Sequence, residues 1–375
     1  MNKLFGCLIG ILFLLSCGSK QSQVERIYED GVEVVINHLN PYKISREPSQ
    51  ILLEEKARID FGAKEFEKFG LKEPTFIEAD SDGNVYVAEE DGAFDYFINK
   101  FDQNGKCLAR FGRPGQGPGE IQRIYGISID GHDRIFVSDI RNAKIIEFAN
   151  SGELVHEVRA PLGLGGVVRL ENGNFIVLRS SANGYELSVV DSNSKMKQID
   201  SFDLSESKKG AKTTGTLPLF YWRATSDRIY VGNGQRGYEI WIFDLNGNLL
   251  KKIRKDYEAV KYPRDFVEQT KKMIEHGSPV VIMENTPPFN SFFIDEARRL
   301  FVMTYEKGKS ADEYIHDIFD SEGIFIGRKS LKLFGILGRG LNHRWAVAKN
   351  GCYYCLNYER ESDYPELITY QMIWN

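Results

Sequence analysis

An all-β, six-bladed β-propeller, its last blade closed by a strand from the N-terminal side, is the fold this 375-residue sequence predicts. Three observations carry the prediction. A strand–turn–strand unit recurs six times. An apolar strand ending in a second polar turn follows each of the first five copies. The sixth unit lacks an outer strand, and an orphan strand at 57–61 can supply it. Four strands per unit, spaced roughly 40 to 70 residues apart, describe a propeller blade, and a ring of blades needs closure to leave no open sheet edge.

Taken in chain order, Met1-Asn2-Lys3 is a short basic start, and Leu4 to Leu15 contains only apolar residues and glycine. Leu14-Leu15-Ser16-Cys17 ends that run, and Gly18-Ser19-Lys20-Gln21-Ser22-Gln23 turns polar. The layout is that of an export signal, and the apolar stretch is short for a bilayer span. The tetrapeptide resembles the bacterial lipobox. The resemblance implies cleavage before Cys17 and acylation of its thiol, palmitate-type chains included; an ordinary signal peptide or an uncleaved anchor is the competing reading. Several acyl chains on one residue anchor stably where one does not. The resemblance further implies the outer membrane, periplasmic or surface facing, because Gly18 is not an aspartate-type retention signal. Residues 1–16 thus read as a signal peptide, 17–30 as a lipidated polar tether and 31–375 as the propeller. Val32, Val34 and Ile36 alternate with Glu33, Val35 and Asn37, so an extra strand is expected ahead of the blades.

The repeat begins at Ala79-Asp80-Ser81-Asp82-Gly83-Asn84-Val85-Tyr86-Val87 and returns as Ile129-Asp130-Gly131-His132-Asp133-Arg134-Ile135-Phe136-Val137. Later copies start at Leu170, Thr225, Asp295 and Lys349. Asp, Asn and Gly supply the turn, and β-branched or aromatic residues fill the strand after it. The second unit reads Phe101-Asp102-Gln103-Asn104-Gly105, then recurs at Phe148, Val190, Phe243 and Phe319. After Leu367–Trp374 the chain reaches Asn375 with no outer strand for the sixth blade. Ala57–Phe61 stands as far before Asp80 as the outer strand ending at Phe111 stands before Asp130, so it is the candidate for closing the ring.

These units, with Gly115-Gln116-Gly117-Pro118-Gly119-Glu120 between blades, resemble NHL-type repeats, and the chain resembles the six-bladed propeller lipoproteins of bacteria over about 31–375. Leu170 and Lys349 depart from the pattern. The resemblance implies a binding scaffold and leaves activity open, since one architecture hosts many functions.

Two insertions interrupt the repeat. Residues 205–216 form a polar loop with Lys208, Lys209 and Lys212. Residues 258–290 hold a helical pattern, with Pro263 near its start and Tyr262, Phe266 and Met273 at helical spacing, so a helix is expected between blades four and five as a packing decoration or a lid.

Composition narrows the function. The formal charge is −5, and removal of residues 1–16 takes away Lys3 alone among charged residues. A mildly acidic chain without a basic run is a poor nucleic-acid binder, so no nucleic acid is expected as partner. Cys352-Tyr353-Tyr354-Cys355 has redox spacing, but in a strand residues i and i+3 face opposite sides about 10 Å apart, too far for a disulfide. His38, His132, His156, His276, His316 and His343 offer no pair at metal-ligand spacing, and no cofactor is expected.

Candidate binding residues lie where inner strands converge: Tyr221-Trp222-Arg223 at blade four, His343-Arg344-Trp345 at blade six, and Tyr125 at blade two. An arginine beside a tryptophan, as in Trp222-Arg223 and Arg344-Trp345, can pair with an anion while the ring offers a stacking surface. The competing reading packs these rings between blades. A membrane-anchored, extracytoplasmic scaffold recognising a glycan, peptide or protein partner is therefore the leading expectation. The alternative is a metal-assisted hydrolase or lyase, lactonase-like, with its site in the channel.

Overall fold

The structure, a computed structural model, describes residues 24–43, 50–69, 71, 74–90, 96–159, 166–203, 220–262, 264–275, 285–309, 313–332, 346–357 and 364–375. Cys17, the loop at 205–216 and His343, Arg344 and Trp345 lie outside these residues.

Six antiparallel sheets follow one another along the chain, each meeting the axis with its first strand. Blade one is Pro74–Ala79, Val85–Glu90, Tyr96–Phe101 and Cys107–Phe111, and blade two is Ile124–Ile129, Ile135–Asp139, Lys144–Phe148 and Leu154–Arg159. Blade three runs Gly166–Arg169, Phe175–Ser181, Gly184–Val190 and Met196–Asp203, and blade four Phe220–Ala224, Ile229–Asn233, Glu239–Phe243 and Leu249–Lys255. Blade five is Ser291–Ile294, Leu300–Lys307, Glu313–Phe319 and Phe325–Lys332. Blade six combines Ala346–Lys349, Cys352–Asn357 and Glu366–Trp374 with Ile51–Asp60 as its outer strand. The fold is a six-bladed propeller, closed as expected. Asp60 stands opposite Glu366 and Ile51 opposite Trp374 in antiparallel register.

The repeated aspartate is a turn cap. Asp80 accepts from the backbone N–H of Asp82 at 3.1 Å and of Asn84 at 2.8 Å, and Asp130 accepts from those of His132 and Arg134 at 2.9 and 3.0 Å. Asp102, Asp191, Asp244 and Asp320 do the same in the second turn of their blades. One carboxylate oxygen that satisfies two turn N–H groups explains the preference for Asp. Where Leu170 replaces it, Asn172 takes over and accepts from the N–H of Asn174 at 3.1 Å; at Thr225 the hydroxyl accepts from Arg228 at 3.1 Å.

Blades pack face to face through apolar clusters. Cys352 lies in the cluster shared with blade one and Cys355 in the cluster shared with blade five, so the pair faces opposite sides as strand geometry requires, and both are free thiols.

The N-terminal side departs from the expected tether. Glu25–Glu29 is already a strand, hairpinned to Val32–Asn37 through Asp30-Gly31 with φ of 51° and 82°. Two residues at positive φ between paired strands make the hairpin turn for which Asp-Gly is the standard sequence. Val32–Asn37 then pairs in parallel with the outer strand of blade four and makes that sheet six-stranded. Asn37 clasps blade five as well: it accepts from Phe325 N at 2.8 Å and donates to Gly323 O at 3.0 Å. Residues 24–43 therefore run along the outer edges of blades four and five, and Ile51–Asp60 along that of blade six. The expected helix between blades four and five is Arg264–Glu275. No helix among the described residues is long and apolar enough to cross a membrane.

Candidate functional site

A cavity of about 460 Å³ opens on the axis at the face that carries the turns between first and second strands. Every blade contributes to it. The residue two positions before the turn lines it in all six: Glu78, Ser128, Val168, Arg223, Phe293 and Val347. In a strand the side chain two before a fixed turn residue always points the same way, so the repeat builds a ring from equivalent positions. Blades one and four are three apart in a ring of six, which sets Glu78, 6% exposed, across the axis from Arg223.

The rim is tied together by its turns. The Asn350 side-chain amide donates to Asp80 O and Ser81 O, each at 2.9 Å, and Ser81 N donates to Asp133 at 2.9 Å. Gly131 N reaches Glu171 at 3.4 Å. Three of the six carboxylates that line the cavity are in ion pairs: Asp130 with Arg134, Asp227 with Arg228 and Arg298, Asp295 with Arg299.

Arg223 differs. Half-buried, it donates from Nη1 to Trp222 O at 3.0 Å and from Nη2 to the Tyr221 hydroxyl, with its guanidinium 4.1 Å from the Tyr221 ring centre. No carboxylate pairs with it among the described residues. Burial pulls its pKa down to about 9, so it remains a cation at neutral pH with only neutral partners. A partly desolvated guanidinium facing a cavity without a counter-ion is a site for an anionic group.

The other candidates fall elsewhere. Tyr221-Trp222-Arg223 is the inner strand of blade four, so adjacent side chains alternate. Tyr221 is buried against Phe292, 4.9 Å between ring centres, and serves as the plate under Arg223. Trp222 faces the other way, into the cluster between blades three and four, so it cannot pair with Arg223 over one ligand. Tyr125 stands near the start of the blade-two inner strand, at a bulge between Ile124 and Gly126, and does not line this cavity. Sequence reasoning missed Glu78, Ser128 and Arg169, although counting back from each turn residue finds the ring. Among the described residues no group of three or more His, Cys, Asp and Glu could hold a metal ion.

Comparison with known proteins agrees on the architecture. The family DUF5128, described as a 6-bladed beta-propeller, matches residues 67–221. No curated protein sequence matches the chain. Among solved structures, a Bacteroides fragilis protein described as exported is similar at 14% identity over 91% of this chain and 99% of its own, with a TM-score of 0.52. A Bacteroides vulgatus member of the duf4221 family is 11% identical over 88% of this chain and 99% of its own, TM-score 0.49. Virginiamycin B lyase of Staphylococcus aureus is 13% identical over 86% and 100%, TM-score 0.43. At 14% identity the likeness to the Bacteroides fragilis protein is one of fold alone.

Proposed function

We propose that this chain is an extracytoplasmic binding propeller, held to a membrane by lipid on Cys17, whose axial cavity receives the anionic group of a glycan, peptide or protein partner at Arg223. One observation carries the reading: a half-buried guanidinium lines a cavity of about 460 Å³ with no carboxylate of its own among the described residues, while Asp130, Asp227 and Asp295 around it are paired with other arginines. The export-signal layout around Lys3, Leu4–Leu15 and Ser16-Cys17 supports the location.

The test uses paired carboxylated and neutral glycans and peptides on one array, followed by titration of the best binder. A charge-assisted hydrogen bond contributes about 1.5–3 kcal/mol, so Arg223→Gln weakens binding by roughly ten- to a hundred-fold. The melting temperature stays within about 1 °C, because the side chain holds no other charge in place. Arg113→Gln, at a side chain 77% exposed and remote from the axis, leaves binding unchanged. Intact binding with a large loss of stability in Arg223→Gln assigns the residue to packing and overturns the reading.

A further inference from the structure

Five of the six blade interfaces are filled by apolar clusters of 11 to 13 buried residues; the interface between blades two and three has four, among the described residues. A cleft of about 970 Å³ occupies the difference. Its floor is Phe136, Ile145, Phe175 and Val190, and the turn at 191–194 brings its mouth to the same face as the axial cavity. Phe136 and Arg169 line both spaces, so the cleft and the cavity meet at that pair.

Within the cleft both carboxylates are already engaged. Glu147 is paired with Arg134, and Asp191 accepts two backbone N–H groups of its turn. Arg159 and Arg169 have no carboxylate partner among the described residues; Arg169 lies over the Phe136 ring at 4.7 Å. With Arg223 beyond the junction, unpaired guanidiniums stand at the outer end, the corner and the inner end of one route.

We propose that the cleft between blades two and three and the axial cavity form a single bent channel for an extended peptide segment of a partner protein, in which apolar residues fill the cleft and an acidic residue turns the corner at Arg169. This rests on the anion-binding reading of the axial cavity and extends it. The floor favours a peptide over a glycan. Sugar rings bind on open aromatic plates among dense polar donors, whereas this floor is aliphatic apart from two phenylalanines. The Phe136 ring is already flanked by Arg134 at 5.6 Å and Arg169. Apolar side chains entering such a cleft displace water from it, and a carboxylate supplies the missing counter-charge.

The experiment selects a phage-displayed random dodecapeptide library on the full chain and titrates the synthetic consensus peptide by fluorescence polarisation. Expected is a consensus with Asp or Glu flanked by apolar residues, bound at least ten-fold more weakly by Arg169→Gln and by Val158→Glu. Arg159→Gln, at an exposed rim position, guards against a folding defect in the first two and lowers affinity several-fold. Unchanged affinity in all three variants, with binding still lost in Arg223→Gln, overturns the channel and leaves the axial site standing. If no acidic peptide is enriched, the peptide assignment falls. Trigalacturonate titrated against wild type and Arg223→Gln then decides the axial reading separately.

Discussion

Removing the two buried anchors of the closing strand should cost this propeller a large part of its stability. A bulge at Lys56 switches the alternation of Ile51–Asp60, so Ile51 and Ile59, 3% and 7% exposed, bury on opposite faces of the blade, while Leu52 is 51% exposed. Ile59 packs in the cluster between blades six and one, Ile51 in the cluster between blades five and six. An Ile→Ala change in a packed core costs about 2–5 kcal/mol, from lost transfer energy and the cavity left behind. The two sites lie eight residues apart on an extended strand, about 26 Å, and share no partners, so their effects add to about 6 kcal/mol. With an unfolding entropy of about 2.1 cal/mol/K per residue over roughly 350 residues, that lowers the melting temperature by about 8 °C. Leu52→Ala on the same strand should move it by less than about 1 °C. Circular dichroism melts of the double variant, each single variant and the Leu52 control give the answer. A double variant that melts with the control would mean that Ile51–Asp60 rests on blade six without closing it, and the reasoning from register to stability would be refuted.

His316 and Cys17 extend the tests. His316 is fully buried in the third strand of blade five, its Nδ1 bonded to Tyr314 O at 3.0 Å and its Nε2 without a partner among the described residues, and burial holds its pKa down to about 4. The unfolded chain protonates near 6.5, so below that pH it binds a proton that the folded state refuses. Stability is then full above about pH 6.5 and falls toward pH 4 by about 3 kcal/mol. His316→Gln should flatten that slope in denaturant titrations; identical slopes would exclude His316 as its source. If Cys17 is acylated, Cys17→Ala abolishes metabolic labelling with palmitate and moves the chain out of the detergent-extracted membrane fraction. Equal labelling of the two forms would remove the lipid from the proposed function.

Much of the fold was legible because its turns require particular chemistry. Asp80, Asp130 and Asp295 recur where one carboxylate must satisfy turn N–H groups, and the spacing from 57–61 to Asp80 located the closing strand. The edge hairpin was legible too, in Asp30-Gly31, but the polar surroundings of Glu25–Glu29 drew the boundary of the tether past it. Its parallel pairing with blade four was not legible, since nothing local in Val32–Asn37 names a partner more than 200 residues away. The Trp222–Arg223 pairing failed for a simple reason. Neighbours in sequence point to opposite faces of a strand, and the ring beneath Arg223 belongs to Tyr221, two residues back.

That failure shows where a propeller keeps its functional information. Turn residues repeat because the backbone demands an acceptor there, and the strand residues facing neighbouring blades are apolar because they are buried. The side chain two before each first turn also borders the axis, so burial decides it only in part: Val168, Phe293 and Val347 pack in the clusters between blades, whereas Glu78, Ser128 and Arg223 are polar. Its identities across the six blades are Glu78, Ser128, Val168, Arg223, Phe293 and Val347, with no common chemistry. A search for self-similarity passes over such positions because they do not repeat. Aligning the blades by their turns and reading the column where agreement fails recovers the ring, and with it the arginine that has no carboxylate partner among the described residues. The same logic applies one interface out. Among the described residues five blade pairs share large apolar clusters, and the pair that does not is the one whose cleft reaches the ring through Arg169. Arg169 and Arg223, partly exposed and outside the apolar clusters, are the positions in both features where substitution should shift affinity more than stability.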